Sequence, residues 1–263
     1  MAGPRIKSLT PSRAIKMMVY GQPGIGKTRL VGTGAKTLIV RPPLDHTDSI
    51  RGGDAKETVV NNWEDMNGVL EWARHEGSQF SWIWLDSISA FQDQGLDDIW
   101  ATVIDEKPHR ARWGLDQAEY GINMHRLSLW VRHMVGAAES EGFNFGLTAW
   151  PRDLPVTEAD DSPEALMPWI QGRNMPQKMC GYMNVVAYYT FTTIKKEQRR
   201  VLRFASTEDY YAKDQFDAFP DGKLLDPTMS KIEERIKAAR PTSSRGSRTR
   251  TRQARRKTTT SRR

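Results

Sequence analysis

The sequence has very little cysteine and no long apolar run. Cys180 is the only cysteine among 263 residues, so no disulfide can form within the chain, and no Cys/His group has zinc-ligand spacing. No window approaches the roughly 18 consecutive apolar residues of a membrane-spanning helix, and the first residues lack the apolar core of a signal peptide. We therefore expect a cytoplasmic protein with no membrane partner.

Acidic residues are absent from the end of the chain. Residues 240–263 contain ten Lys or Arg and no Asp or Glu. Because these ten positive charges exceed the net charge of the whole chain, which is +7, the remaining residues are mildly acidic. This segment also lacks aromatic and large aliphatic residues, and it cannot bury enough apolar surface to offset the entropy lost on ordering. We predict one domain over residues 1–239 and a disordered basic tail over residues 240–263. The tail can bind nucleic acid or simply keep the protein soluble.

The apolar pattern alternates between strand-like and helix-like segments. Apolar runs predict strands at residues 14–20, 37–40, 81–85, 143–150, 184–193 and 200–206, the last two forming a hairpin. Apolar spacings of three and four residues predict helices at residues 27–34, 63–73, 88–104, 116–138 and 230–239. Strands and helices alternate first, and strands cluster late. We therefore predict an α/β fold with a mostly parallel central sheet, helices on both faces and an antiparallel hairpin at one edge.

A glycine-rich turn follows the first predicted strand. Residues 21–28, GQPGIGKT, match the pattern GxxxxGK[ST] of the P-loop without a gap. Its glycines let backbone N–H groups converge on a phosphate, while Lys27 reaches the β and γ oxygens and the Thr28 hydroxyl ligates Mg²⁺. The sequence thus predicts ATP and Mg²⁺ as cofactors. The predicted cofactor-binding residues are Gly21, Gln22, Pro23, Gly24, Ile25, Gly26, Lys27, Thr28 and Arg29.

A metal at such a loop also needs a carboxylate at the end of a neighbouring buried strand. The apolar run at residues 81–85 ends in Asp86, so we predict that Thr28 and Asp86 hold Mg²⁺; the alternative is that Asp86 caps the next helix. Ser87 follows where typical AAA+ enzymes carry a glutamate that activates water. The base must then come from another strand end, and we favour Asp45 over Asp48. A simple turn after Pro42 and Pro43 is the alternative.

Five segments together resemble the phage RecA-like core ATPases of the Sak type. They are GQPGIGKT (21–28), RPPLDHTDS (41–49), IWLDS (83–87), TAWPRD (148–153) and YYAKDQF (210–216). The resemblance covers roughly residues 14–220 and implies a RecA-like P-loop fold. It also implies an ATP-dependent protein that binds single-stranded DNA and promotes annealing or recombination. Such a protein would form a homo-oligomer, either a ring or a filament, and work with a single-strand DNA-binding protein.

The resemblance assigns further roles to single residues. Lys213 matches the family's lysine that reaches the γ-phosphate of a neighbouring subunit, and the alternative is a solvated lysine. Two features depart from the family: Trp150 stands near the polar sensor position, with Thr148 the closest polar residue, and no glutamate follows the second strand. We therefore expect slow hydrolysis.

In RecA-like cores, DNA binds to loops that correspond here to residues 106–114 and 151–176. Lysine and arginine neutralise phosphates, and an exposed aromatic ring can stack on a base. The tryptophans of these segments can instead anchor the loops to the core. The predicted DNA-binding residues are Arg110, Arg112, Trp113, Arg152, Arg173 and Lys178.

Two other functions fit the same phosphate loop. A P-loop kinase for a nucleotide or other small molecule could use residues 151–176 as its lid. A noncatalytic nucleotide-dependent adaptor would assemble on binding ATP without cleaving it, and this alternative stays open because no glutamate follows Asp86 or the second strand.

Overall fold

The computed structural model describes residues 14–50, 52–155 and 164–240. Residues 241–263 of the predicted basic tail lie outside this part of the chain, so the predicted disorder stays a prediction. Arg240, the first residue assigned to that tail, follows the last helix, and its guanidinium packs over the Phe216 ring at 4.9 Å from the centroid. No helix in the described part is long and apolar enough to cross a membrane.

Eleven strands and six α-helices form the described part of the chain. The strands are β1 (Lys16–Tyr20), β2 (Thr37–Arg41), β3 (Lys56–Val59), β4 (Trp82–Leu85), β5 (Asn144–Ala149), β6 (Pro151–Pro155), β7 (Glu164–Pro168), β8 (Val185–Ile194), β9 (Glu197–Arg203), β10 (Lys213–Asp214) and β11 (Lys223–Leu225). The helices are α1 (Lys27–Val31), α2 (Trp63–Glu76), α3 (Ile88–Glu106), α4 (Gln117–Glu141), α5 (Met175–Tyr182) and α6 (Met229–Ala239).

The central sheet has the strand order β11-β9-β8-β1-β5-β4-β2-β3, and the short β10 also pairs with β8. The six strands from β8 to β3 run parallel, whereas β9, β10 and β11 are antiparallel to their neighbours. The mostly parallel sheet with an antiparallel hairpin at one edge is therefore confirmed. A separate two-stranded sheet joins β6 to β7.

Helices cover both faces of the sheet, as predicted. Strand residues alternate between the two faces, so Met18 and Tyr20 of β1 pack on the side of α2, α3, α4 and α5. Met17 and Val19 pack on the other side, with α1 and α6. Every residue of β1 is buried, which explains its nearly continuous apolar sequence.

One strand separates the two predicted phosphate-site strands. We expected Asp86 at the end of a strand next to β1, but β5 lies between β1 and β4. Gly146 of β5 makes this arrangement possible, because a Cβ at that position would lie 2.3 Å from ring atoms of Trp84 on β4. The Trp84 ring is fully buried and stacks on Trp82 with ring centroids 5.2 Å apart.

Several elements differ from the sequence prediction. Helix α1 ends at Val31 instead of residue 34, and the N–H groups of Thr33 and Gly34 donate to carbonyl oxygens three residues back instead of four. Strand β3 was not predicted, since its sequence KETV is largely exposed and shows no apolar pattern. The segment 151–176, predicted as a long loop, contains β6, β7 and the start of α5.

Candidate functional site

The phosphate loop leaves the carboxyl end of β1 and leads directly into α1. Gly24 and Gly26 have φ angles of 81° and 102°, a conformation that favours glycine. Gly21 has a different requirement, because a Cβ there would lie 2.2 Å from the carbonyl oxygen of Tyr189 on β8. The backbone geometry thus accounts for all three glycines of the loop.

Lys27 lies in the curl of this loop. Its ammonium donates hydrogen bonds to the carbonyl oxygens of Gly21 and Gln22, at 2.7 and 3.2 Å, and the residue is 8% exposed. Burial lowers the pKa of Lys27, while the negative charges of Asp86 and Asp45 oppose that shift. The structure therefore brings the predicted cation together with both predicted carboxylates.

Asp86 is buried at the carboxyl end of β4. Its Oδ1 accepts a hydrogen bond from the Thr148 hydroxyl on the intervening strand β5. Ser87, and not Asp86, caps α3, because its Oγ accepts a hydrogen bond from the Ala90 amide at 3.2 Å. The alternative of a capping role for Asp86 is therefore wrong.

Asp45 approaches the same point from the end of β2. Its Oδ2 accepts hydrogen bonds from the backbone N–H of Ser87 at 2.9 Å and from the Ser87 hydroxyl at 3.2 Å. Burial raises the pKa of Asp45, and repulsion from Asp86 adds to the rise, whereas the bonds from Ser87 and the charge of Lys27 oppose it. Asp48 is exposed, and its charge acts on Arg41. The geometry thus favours Asp45 over Asp48 as the base that activates water. Its part in catalysis stays a prediction.

The donor set at these strand ends fits a magnesium nucleotide. Among the described residues no group of three or more His, Cys, Asp or Glu could hold a metal ion by itself. Mg²⁺ commonly needs only one or two carboxylates and takes its remaining ligands from phosphates and water. Thr28, at the start of α1, and Asp86 supply a hydroxyl and a carboxylate of that kind. Their role as metal ligands stays a prediction.

Two residues of the β8–β9 hairpin also contact the loop and were missed. The Nε of Arg200, on β9, donates a hydrogen bond to the Ile25 carbonyl oxygen at 2.8 Å. The same guanidinium lies over the Phe191 ring at 5.5 Å from its centroid. Tyr189, on β8, packs its backbone against Gly21. The hairpin prediction placed the two strands together, but no local pattern indicated that one side of the hairpin contacts the loop.

Lys213 lies elsewhere in the protein. Its ammonium donates hydrogen bonds to the carbonyl oxygens of Met183, at 2.8 Å, and Cys180, at 3.2 Å, near the end of α5. Lys213 pairs with Val186 on β8, which is level with Met18 in the middle of β1. The structure thus does not bring Lys213 to the phosphate loop of its own subunit, and contact with a neighbouring subunit stays a prediction.

The first predicted DNA-binding segment, residues 106–114, is partly held by ion pairs within the protein. Arg110 forms ion pairs with Asp116 and Glu119, which holds the start of α4. These bonds occupy the guanidinium that we predicted would contact DNA. Arg112 is exposed, and Trp113 is 81% exposed, so this tryptophan does not anchor the segment to the core.

The second predicted DNA-binding segment is connected to the candidate site. Arg152, Arg173 and Lys178 are all exposed. At the base of the β6–β7 hairpin the Trp150 and Trp169 rings stack with centroids 5.4 Å apart, so Trp169 has the anchoring role that we left as an alternative.

Ser89 attaches this hairpin to the start of α3. Its hydroxyl donates to the Trp169 carbonyl oxygen at 2.8 Å and accepts from the Trp150 amide at 2.9 Å. Ser89 lies only two residues after Ser87, which binds Asp45. The hairpin and the carboxylate pair are therefore linked through a few hydrogen bonds.

Comparison of the sequence with models of protein families gives a match that includes this site. A family model described as "AAA domain" matches residues 13–216, which include the phosphate loop, Asp45 and Asp86. A search of the curated proteins finds no match.

Proposed function

The chain belongs to the AAA domain family of P-loop NTPases, and from that premise we propose that it is an ATPase that binds Mg-ATP at residues 21–28. The proposal rests on one observation: Lys27, Asp86 and Asp45 lie close enough for their charges to interact. They follow the carboxyl ends of β1, β4 and β2, and ligands of open α/β sheets bind at this edge.

Each residue has a distinct role in this proposal. Lys27, whose ammonium donates to backbone carbonyl oxygens of the loop, supplies positive charge to the phosphates. Thr28 and Asp86 hold Mg²⁺, which neutralises phosphate charge when bound. Asp45 accepts the proton of the attacking water, and its raised pKa suits a general base. Ser87 fixes one oxygen of Asp45 through two hydrogen bonds and so orients the other.

We further propose a RecA-like protein that binds single-stranded DNA in the cytoplasm and acts in annealing or recombination of a phage. Support comes from the hairpin bearing exposed Arg152, which Ser89 attaches beside the carboxylates. Exposed Trp113 offers a ring for base stacking. In this proposal the chain assembles as a ring or filament and works with a single-strand DNA-binding protein, and Lys213 acts across the subunit contact.

ATP turnover by the full chain, measured with and without single-stranded DNA at two salt concentrations, tests this function. We expect DNA to raise turnover, and the effect to weaken at the higher salt because phosphate contacts release counterions. Arg152→Ala should reduce the stimulation, whereas Arg235→Ala, an exposed arginine on α6, should leave it unchanged.

The other outcomes identify the alternatives. Turnover that is unaffected by DNA at both salt concentrations would contradict the coupling of ATP hydrolysis to DNA binding. It would not contradict the proposed ATPase activity itself. Conversion of added nucleoside monophosphates to diphosphates would indicate a kinase. Stable oligomers that form with ATP and never cleave it would indicate an adaptor.

A further inference from the structure

A groove of about 370 Å³ lies between α2 and the edge strand β3. Its apolar walls are Leu38 of β2, Val69 and Trp72 of α2, and Phe80, which follows that helix. The Trp72 and Phe80 rings meet edge to face with centroids 5.8 Å apart, and both are partly exposed. Leu38 lies near the amino end of β2, whereas the phosphate loop follows the carboxyl end of β1. The groove is therefore separate from the candidate site.

Strand β3 leaves one side of this groove open to a further segment. Within the described part of the chain β3 pairs with β2 alone, so its outer edge presents backbone N–H and C=O groups. Extended peptides bind at sheet edges through such groups, and neighbouring pockets take their side chains. The position thus suits a short segment that has apolar side chains and free backbone groups.

The first described residues lie on the same side of the sheet as the groove. Ala14 precedes β1 and packs in the same buried cluster as Leu38, on the face covered by α2. Pairing of β1 with β5, of β5 with β4 and of β4 with β2 places Lys16 level with Leu38. Three strand spacings of about 4.8 Å separate these two residues, about 14 Å in all. The point where residues 1–13 join the fold is therefore close to the groove.

Residues 1–13 have the length and the side chains for this site. Ile6 lies eight residues before Ala14, so an extended chain can carry it up to about 26 Å from Ala14. That reach exceeds the spacing between β1 and β2 and leaves length for a path around the strand ends. Ile6 and Leu9 are apolar, and no proline interrupts residues 5–10, so their backbone N–H groups are all available.

Charge complementarity favours the same segment. Residues 1–13 carry three cations, Arg5, Lys7 and Arg13, and no acid. Helix α2, which forms one wall of the groove, carries one arginine and four carboxylates, Glu64, Asp65, Glu71 and Glu76. Residues 241–263 are also basic but have no apolar side chain larger than alanine, so they cannot fill an apolar groove. They also follow α6, which packs on the opposite face of the sheet.

We propose that residues 1–13 dock in this groove of their own chain, with Ile6 against the Trp72 and Phe80 rings. The docked segment covers the outer edge of β3 and removes the two rings from water, and both changes protect the protein from edge-to-edge association. This docking site is independent of the proposed nucleotide binding.

Disulfide trapping in the full chain tests the docking. Ser8→Cys places one thiol two residues from Ile6. Gly68→Cys places the other at the groove, where an added Cβ meets no atom within 4 Å. We expect oxidation with copper phenanthroline to join positions 8 and 68 within one chain, measured by non-reducing electrophoresis and peptide mapping. The native Cys180 is buried and should stay reduced.

Ser8→Cys combined with Ser140→Cys is the matched control. Ser140 is exposed and adjoins Glu139, which forms an ion pair with Lys16 of β1, so a freely moving segment reaches it at least as easily as the groove. The 8–68 bond should form at least about tenfold faster than the 8–140 bond, because docking raises the effective concentration of the two thiols. Equal rates would overturn the proposal. Bonds formed mainly between two chains would also overturn it and would assign the groove to a second copy.

A further substitution tests the apolar contact itself. Ile6→Asp, added to the Ser8→Cys/Gly68→Cys chain, should slow the 8–68 bond to the rate of the 8–140 control, because a carboxylate does not enter an apolar groove. Ala2→Asp adds the same charge to the same segment but keeps Ile6, and it should leave the rate unchanged. Equal rates for these two variants would contradict the docking of Ile6.

Discussion

The parallel half of the sheet and its antiparallel edge contribute to the candidate site in different ways. In the parallel half, Asp45 and Asp86 follow the carboxyl ends of β2 and β4, and Lys27 follows the loop after β1. At the antiparallel edge, Arg200 lies within β9 and contacts the loop from the side. Residues that follow parallel strands meet because of the topology, whereas residues within a hairpin meet the site only through tertiary packing.

The largest effect that we expect in the parallel half concerns Asp86. Asp86→Asn removes the carboxylate proposed for Mg²⁺ but keeps an oxygen that can accept from the Thr148 hydroxyl. We expect ATP turnover to fall by about 10²–10³, typical for loss of one electrostatic contact to a reacting group. Steady-state hydrolysis at saturating Mg-ATP measures it, with the exposed Asp97→Asn on α3 as the control. Turnover within threefold of the wild type would contradict the assignment.

The next effect concerns Asp45 and its pH dependence. Asp45→Asn should lower turnover by about 10²-fold, the lower end for loss of a general base. The base acts as a carboxylate, so wild-type turnover should fall as the pH drops through the raised pKa of Asp45. Asp45→Asn should lose this dependence. A pH–rate profile that is the same for both proteins would exclude Asp45 as the base.

Asp45→Asn also shows whether Asp45 contributes to the stability of the fold or only to catalysis. Because the folded protein raises the pKa of Asp45 above its usual 3.8, the protonated form favours folding. That contribution is present below the usual pKa and is lost as the pH rises through the raised value. Asp45→Asn, which carries no charge, should therefore unfold at a temperature equal to or above that of the wild type at neutral pH. A large loss of thermal stability would indicate a structural role instead.

The smallest effect concerns the antiparallel edge. Arg200→Ala removes the hydrogen bond to the Ile25 carbonyl oxygen and so one contact that holds the phosphate loop. A hydrogen bond from a charged group contributes about 1.5–3 kcal/mol, which partial exposure reduces, so we expect about a tenfold loss of ATP affinity. Arg203→Ala, on the same strand, is the control, because that guanidinium lies over the Tyr210 ring. Equal affinities in both variants would mean that the edge does not contribute to binding.

Much of the fold could be predicted because its strands are buried on both faces. Strands β1 and β4 are short, nearly continuous apolar runs, and the alternation of strands and helices along the chain already indicates a parallel sheet. Strand β3 could not be predicted, since an exposed edge strand has no apolar pattern. The β6–β7 hairpin was missed for a related reason: proline begins and ends β6 and ends β7, and proline usually indicates a turn.

In the candidate site, too, some residues could be predicted from the sequence and others could not. The loop pattern and the strand-end positions of Asp86 and Asp45 are local features, so the sequence predicted these residues. The contact of Arg200 with Ile25 joins residues 175 positions apart, and no local pattern predicts it. Lys213 was assigned through resemblance alone, and its ammonium instead satisfies the carbonyl oxygens of Met183 and Cys180.

Calorimetric titration of the full chain with Mg-ATP tests the central claim most directly. The wild type should show saturable binding at one site per chain, and Lys27→Ala should bind at least about 100-fold more weakly, since it removes the only ammonium in the loop. Lys237→Ala, an exposed lysine on α6, should bind like the wild type. Absence of a binding signal from the wild type, or equal affinities for wild type and Lys27→Ala, would contradict the account.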